Sequence, residues 1–306
     1  MDRHAGPTVY LALLATTLFW GLSFVATKIA LETIPPAPLL FIRFAVAGVI
    51  LVLFLPRGSI RALTLVDHLL LFATAAFEPG LYFLFETLAL QRIHAAEASL
   101  IVATIPVVVL ILSAVFLGER NSRKVVAGIG LSIAGVAVLT LTGAGSGINP
   151  ERSLAGYLFM FGAVFTASGY ITLARSLTRR LSALVVTTMQ VGYGGIFFAP
   201  VALWSWDPAV LTQVSLRSAL GLGFLIIFAT VGAFFCYNYS LTRINAAVAS
   251  AYLNGIPLVT AAAAWLLLGE NLTGMQVVGG GLILLSVYMV NYRPRGNGSA
   301  PDPLRQ

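Results

Sequence analysis

Two glutamates and a tyrosine lie inside a long apolar stretch of this sequence. Glu78, Tyr82 and Glu86 are spaced four residues apart, so a helix over 69–90 would place all three on one face. A charge at the centre of a bilayer costs about 3 kcal/mol, so such residues normally face a bundle interior or a water-filled cavity. The pattern predicts a site for an ammonium group or a proton. Two alternatives stay open: Glu86 is solvated near the outer interface, or either glutamate pairs with Arg43.

Three prolines interrupt apolar stretches: Pro79, Pro106 and Pro257. Each lacks a backbone N–H, so a carbonyl four residues earlier loses its helical partner. Interrupted helices at matching positions in two halves of a chain indicate a central site. The polar residues predicted to line that site beside the breaks are Ser99, Ser250 and Asn254. The alternative is that the prolines only shape the bundle and the small residues only permit close packing.

Aromatic residues in other apolar stretches are candidates for the wall of the same site. They are Trp20, Tyr170 and Tyr237, the last followed by Asn238. Packing explains Trp20 nearly as well as a cavity position does. Arg43 is a candidate charge partner for a ligand or a glutamate, although it lies near a span end and a structural role is open.

Composition places the chain in a bilayer. Of its 306 residues, 58% are hydrophobic and 9% are charged, with a mean hydropathy of +0.93, whereas soluble domains carry about 25% charged residues. The single cysteine, Cys236, excludes a disulfide or a cysteine-based metal site within one chain. The three histidines show no ligand spacing, and catalytic-triad and dinucleotide-binding motifs are absent. We therefore expect no cofactor and no metal.

Ten apolar runs are long enough to cross about 30 Å of hydrocarbon. Helices are expected, because a chain in lipid must satisfy its own backbone hydrogen bonds. The predicted spans are 8–29, 38–55, 69–90, 95–117, 125–141, 154–174, 182–204, 218–240, 246–268 and 274–292. The first run is too long for a signal-peptide core and has no cleavage site, so it is predicted to remain as a span.

Positive charges set the predicted orientation. With the N-terminus inside, thirteen Lys and Arg residues fall on the cytoplasmic side and four on the other side, while Arg43 falls within a span. This bias follows the positive-inside rule and accounts for the net charge of +7 without nucleic acid. Both termini are predicted to be cytoplasmic, with a polar tail over 293–306.

The sequence also contains an internal repeat. Residues 90–136 align without a gap on residues 241–287, and 18 of the 47 positions are identical. The constant offset of 151 residues is close to half the chain, so the chain contains two copies of one structural unit. Five spans per unit would make the two copies cross the membrane in opposite directions. The turn after Glu119 is basic and the turn after Glu270 is not, as inversion requires. The predicted units are 1–145 and 146–292.

These features resemble the drug/metabolite transporter superfamily, and within it the ten-helix EamA-like exporters. The residues that carry the resemblance are Trp20-Gly21, Arg43-Phe44, and a pattern used twice in which Ala-Ala is followed by proline and then by Gly-Glu. Glu78 and Glu86 depart from the usual small or apolar residues, and Thr166-Ala167 replaces a second Trp-Ala. The resemblance implies two five-helix repeats around a central cavity and export of small metabolites or drugs across the bacterial inner membrane.

We therefore expect an all-α membrane protein with ten transmembrane helices, working by alternating access. The expected cargo is a small organic solute: an amino acid, a related amphipathic or cationic compound, or a drug. Protons are a candidate coupling ion. For the oligomeric state, both a monomer and a homodimer stay open. An importer or a passive facilitator of the same fold stays an alternative. A membrane enzyme is disfavoured, because His94 has no paired ligand or base nearby in sequence.

Overall fold

The computed structural model describes residues 7–109, 127, 130, 131, 134, 135, 138, 150–178, 180–205, 207, 208, 212–243, 249, 252, 253, 255–271 and 273–291. These residues form helices and turns, with no strand among them. The helices of the first half are α1 (Pro7–Ala30), α2 (Pro36–Phe54), α3 (Leu65–Ala75), the π-helical segment π1 (Ala76–Leu81), α4 (Tyr82–Leu90) and α5 (Ala95–Val102). Those of the second half are α6 (Pro150–Leu177), α7 (Ala183–Trp204), α8 (Leu216–Phe224), π2 (Leu225–Gly232), α9 (Ala233–Leu241), α10 (Ile256–Leu268) and α11 (Gly274–Asn291).

Six helical stretches are long and apolar enough to cross a membrane. They are Pro7–Ala30, Pro36–Phe54, Leu65–Leu90, Leu154–Ala174, Ala183–Trp204 and Leu216–Leu241. They coincide with the first, second, third, sixth, seventh and eighth predicted spans. The fourth, ninth and tenth predicted spans correspond to the shorter apolar helices Ala95–Val109, Ile256–Leu268 and Val277–Ser286. The fifth, 125–141, lies almost entirely outside the described residues, so the ten-helix count stays a prediction.

The third and eighth spans are built alike. Each begins with an α-helix, passes through a π-helical segment, and ends in a second α-helix. The starts at Leu65 and Leu216 are 151 residues apart, and so are the ends at Leu90 and Leu241. The offset found in the sequence therefore recurs in the boundaries of the helices. A π-helical turn loosens the regular ladder of hydrogen bonds, and it occurs often at functional sites.

The predicted breaks at the other two prolines lie at helix starts. Helix α5 ends at Val102, and a second helical segment covers 105–109, with Pro106 in its first turn. Likewise Gly255 is the N-cap of α10, and Pro257 lies in its first turn. Proline is well tolerated there, because the first N–H groups of a helix have no intrahelical partner. Both prolines thus start a new helical segment within an apolar span.

Helix α1 of the first half packs among helices of the second half, against α8, α9 and α10, while α2 packs along α7. Small residues permit these close approaches. A Cβ on Gly21 would lie 2.6 Å from the Cβ of Val259, and a Cβ on Gly48 would lie 3.3 Å from the Cα of Gly192. The two halves therefore interlock, and the space between them is bounded by helices from both.

Candidate central cavity

A small cavity lies where the two halves meet. Its lining residues are Trp20, Ser23, Phe24, Glu78, Tyr82, Phe83, Glu86, Val102, Ile105, Ala167, Tyr170, Ile171, Tyr237, Leu253 and Ile256. The free volume is about 30 Å³, close to the volume of one water molecule in the liquid. Known pockets for small organic ligands have volumes of roughly 300–1,000 Å³. An organic solute can therefore enter only if the surrounding helices move apart.

Both glutamates of the predicted site line this cavity and are buried. The side chain of Glu78 projects from π1, and that of Glu86 from α4 one turn beyond Tyr82. Glu86 is 1% exposed, and its Oε2 has no hydrogen-bond partner. The alternative that Glu86 is solvated at the outer interface is therefore wrong for this conformation.

Arg43 lies behind the cavity wall and does not line the cavity. It is 1% exposed, its Nε donates to Thr230 Oγ1 at 2.9 Å, and its guanidinium carbon lies 4.2 Å from the centre of the Phe83 ring. Its Nη2 has no hydrogen-bond partner. Within the described residues, Arg43 forms no ion pair with Glu78 or Glu86 at 4.0 Å or less. The guanidinium is instead held by the aromatic ring and the threonine.

The backbone at Glu78 leaves the helical conformation. Its φ of −148° and ψ of 117° are extended, and a cis peptide bond joins it to Pro79. The Glu78 carbonyl accepts a hydrogen bond from Gln190 Nε2 at 2.8 Å. Gly194, one turn further along α7, makes room for the proline ring, since a Cβ there would lie 2.2 Å from Pro79 Cγ. Helix α7 thus fixes the break that carries the Glu78 side chain.

A buried network of polar side chains supports one side of the cavity. Tyr170 donates its hydroxyl to Asn238 Oδ1 at 3.1 Å. The Asn238 amide donates to Thr187 Oγ1 at 2.9 Å and to Gln190 Oε1 at 3.2 Å. Asn238 is fully buried and lies outside the lining, so it orients Tyr170 without facing the cavity itself.

Trp20, on α1, also lines the cavity. Its indole Nε1 donates to the Ala229 carbonyl at 3.1 Å, within π2. Its ring lies 5.2 Å from the Tyr237 ring and 5.4 Å from the Phe234 ring. Aromatic pairs at such distances stabilise a packed wall. Trp20 therefore both lines the cavity and ties the first half to the second.

The other predicted site residues have different positions. Ser99 is buried, and its hydroxyl donates to the Ala96 carbonyl at 2.8 Å, outside the cavity lining. Pro106 and Pro257 do not line the cavity, but their neighbours Ile105 and Ile256 do. Ser250 and Asn254 lie outside the described residues.

Sequence reasoning missed two residues that organise the site, Gln190 and Thr230. A signal for Gln190 was present, because it is an amide in the middle of the predicted span 182–204, and buried amides in membranes need partners. Thr230 gave no such signal, since threonine is common in membrane helices.

Glu270 connects three helices of the bundle. It lies in the second copy of the repeated Gly-Glu motif. Gly269 has a positive φ of 67° and ends α10. The Glu270 carboxylate then accepts from Lys28 Nζ at 2.6 Å and from the Ala95 backbone N–H at 2.9 Å. Burial raises the pKa of Glu270, but the nearby His94 and the positive Lys28 lower it by more, so this pKa lies below its ordinary value. The carboxylate is a charged link between α1, the start of α5 and the end of α10.

Within the described chain, no group of three or more histidine, cysteine, aspartate or glutamate side chains is placed to hold a metal ion. The apolar helices and the enclosed cavity between two halves define a membrane transport protein.

The chain belongs to the EamA-like transporter family, whose model matches it twice, over residues 7–141 and 154–292. The protein is therefore a multi-pass membrane transporter and not an enzyme.

Several relatives match most of the length of the chain. An uncharacterized transporter of Archaeoglobus fulgidus is 29% identical over 92% of this chain and 98% of its own. A probable amino-acid metabolite efflux pump of Salmonella typhimurium is 28% identical over 94% and 95%. A probable terminal-alkyne amino-acid exporter of Streptantibioticus cattleyicolor is 25% identical over 93% and 94%. A solved crystal structure aligns with a TM-score of 0.65 at 20% identity, over 93% of this chain and 96% of that chain, which shows a shared fold.

Proposed function

We propose that this transporter exports small organic metabolites across the bacterial inner membrane by alternating access. In this proposal the two units, 1–145 and 146–292, are inverted five-helix repeats that rock around the cavity, with both termini in the cytoplasm. The observation that carries it is the buried, acid-bearing cavity lined by helices of both halves. The printed names of two relatives, an efflux pump and an exporter of amino-acid compounds, favour the outward direction.

The cavity residues have distinct roles in the proposed cycle. Glu78 and Glu86 bind the cationic part of the solute, and a counter-transported proton competes for the same carboxylates. Trp20, Tyr170 and Tyr237 contact its apolar part. Because the free volume is only about 30 Å³, this conformation corresponds to the occluded step between the two open states. The breaks at Pro79, Pro106 and Pro257 are the places where the helices bend.

A counterflow assay tests the proposal. Purified protein in liposomes is loaded with unlabelled solute, and accumulation of the same labelled solute is followed for a panel of L-amino acids and organic amines. A carrier gives a transient accumulation that saturates, whereas a passive facilitator gives flux proportional to concentration. Glu78→Gln and Glu86→Gln should abolish accumulation or its dependence on pH. Unchanged flux of either variant at every pH would remove that glutamate from the mechanism.

Direction requires a separate measurement, because an importer of the same fold would also show counterflow. Inside-out membrane vesicles from expressing cells should accumulate the solute when a proton gradient, acidic inside, is imposed. Accumulation only by right-side-out vesicles, under a proton gradient that is acidic outside, would establish import.

A further inference from the structure

We infer that the preferred solute is an organic ammonium ion that carries no carboxylate, and that Glu86 selects it. This inference rests on the proposed carrier function and narrows its substrate class. It concerns the cavity of the occluded conformation and the charges that lie in and behind its wall.

Among the residues that the structure describes, the cavity lining presents acids and aromatic faces. Two of these lining residues are glutamates and six are aromatic, whereas none of them is lysine, arginine or histidine. Aromatic faces attract cations. An organic ammonium ion with an apolar or aromatic body therefore complements both the glutamates and the aromatic residues of the lining.

Unpartnered polar atoms at the wall supply the contact points. Glu86 and Tyr237 both line the cavity. Glu86 Oε2 and the Tyr237 hydroxyl are buried and have no hydrogen-bond partner. A buried acceptor without a partner costs free energy. An ammonium N–H donor satisfies Glu86 Oε2 and recovers that cost, so binding is coupled to this atom.

The acidic side chains of the lining favour a positive charge. Glu78 and Glu86 both line the cavity, whereas Arg43 lies behind its wall. A cation is attracted by either carboxylate. A zwitterionic amino acid brings a third carboxyl group near these two.

Arg43 is poorly placed to receive a substrate carboxylate. The Phe83 ring, which lines the cavity, lies against its guanidinium, and its Nε is already committed to Thr230. Its Nη2 has no partner, but Arg43 is buried and is not among the lining residues. A carboxylate in the cavity would thus meet two acidic side chains in the lining, an arrangement that discriminates against it.

Matched pairs of ligands test the inference. 2-Phenylethylamine is phenylalanine without its carboxylate, and tyramine bears the same relation to tyrosine. Binding of all four to the purified transporter is measured by isothermal titration, with 3-phenylpropionate as the acid without the amine. We expect each amine to bind at least about tenfold more tightly than its amino acid, as the loss of one charge-assisted contact implies. Equal or tighter binding of the amino acids, or no binding of either amine, would overturn the inference.

Two variants connect the preference to Glu86. Glu86→Gln should lose the preference for the amine, because a neutral amide removes the charge while keeping the shape. Glu97→Gln is the matched control, since Glu97 is equally buried at 1% exposure but lies outside the cavity lining. Both variants are checked for folding by thermal unfolding without ligand. If Glu86→Gln is folded and keeps the full preference, Glu86 is not the selecting residue. If it does not fold, Glu78→Gln is measured in its place, and a retained preference there counts against the acid pair.

Counterflow separates the two proposals. Liposomes are assayed with 2-phenylethylamine, whose ammonium N–H groups the proposed contact requires, and with L-phenylalanine. Protein-free liposomes measure the passive leak of the amine. Counterflow of phenylalanine alone would support the carrier function and contradict the proposed preference for ammonium ions. Counterflow of neither probe, nor of any member of the broader panel, would remove the carrier function itself.

Discussion

The main-chain carbonyls of Glu78 and Ala229, which are 151 residues apart, each accept a hydrogen bond from a side chain in the opposite half of the chain. Gln190 Nε2 donates to Glu78 at 2.8 Å, and Trp20 Nε1 donates to Ala229 at 3.1 Å. Both carbonyls lie in π-helical segments, where the regular ladder is interrupted. The donors differ in type and in position along their helices. The two halves therefore provide a side-chain partner for a carbonyl at the same place in the repeat, although the backbone is extended at Glu78 and no such break occurs in π2.

The Gln190 bond can be removed without changing the size of the side chain greatly. Gln190→Met leaves the Glu78 carbonyl and the Asn238 amide each short of one partner. Because a buried polar group without a partner costs about 1–3 kcal/mol, we expect a clear fall in melting temperature, followed by tryptophan fluorescence in detergent. Gln91→Met, at an exposed position, is the control and should change little. An equal fall in both variants would mean that the loss of glutamine itself, and not this bond, is responsible.

Glu270 predicts how stability responds to pH. Its folded pKa is lowered by the nearby His94 and by Lys28, so its contribution is complete above the ordinary glutamate value and is lost as the pH falls through the folded pKa. Glu270→Gln should lower the melting temperature at pH 7, by the loss of about 1–3 kcal/mol from the charged hydrogen bonds. The difference between wild type and variant should shrink on acidification below about pH 4.3.

A second ion pair on the same protein provides the control for Glu270. Glu32 lies 3.5 Å from Arg217, with both side chains largely exposed. Exposed pairs contribute about 0–1 kcal/mol, so Glu32→Gln should have a small effect at any pH. A difference for Glu270→Gln that stays constant from pH 7 to pH 3 would contradict the assigned role of its charge.

Much of the fold could be predicted from hydropathy, because length and apolar composition are enough to recognise a span. The predicted third span, 69–90, corresponds to the helical stretch Leu65–Leu90. The internal structure of that span could not be predicted in full. Pro79 indicated a break, but the matching π2 segment contains no proline, and Thr230 occupies the equivalent position. Its conformation depends on contacts with Trp20 and Arg43, which only the folded chain brings together.

The candidate site, too, could be predicted from the sequence only in part. The four-residue spacing of Glu78, Tyr82 and Glu86 predicted one helix face, and all three line the cavity. Sequence could not separate lining residues from supporting ones. Asn238 and Arg43 are as buried as the residues they hold, and only distances show that they stand behind the wall.

Gly194 contacts Pro79. We therefore expect the effect of a glycine-to-alanine substitution on stability to depend strongly on its position along α7. Gly194→Ala would place a Cβ 2.2 Å from Pro79 Cγ, so the helix or the proline must shift, at a cost of about 1–3 kcal/mol. At Gly192 an added Cβ meets no atom within 4 Å, so Gly192→Ala should be neutral or stabilising, by up to about 1 kcal/mol from helix propensity. Thermal unfolding of the two variants compares them directly. Equal melting temperatures would show that α7 can move away from the proline at no cost.

The proposed inverted arrangement of the two units makes a prediction that is independent of the cavity. The turn after Glu119 carries Arg120, Arg123 and Lys124, whereas the turn after Glu270 carries none of these charges, so the positive-inside rule places the two turns on opposite faces. With Cys236→Ser as the background, the variants S122C and N271C each present a single thiol. In intact cells a membrane-impermeant maleimide should label N271C, and it should label S122C only after the membrane is permeabilised. Labelling of both from outside, or of neither, would place the turns on one face. The two copies of the unit would then be parallel, and a rocking motion about a shared cavity would lose its basis.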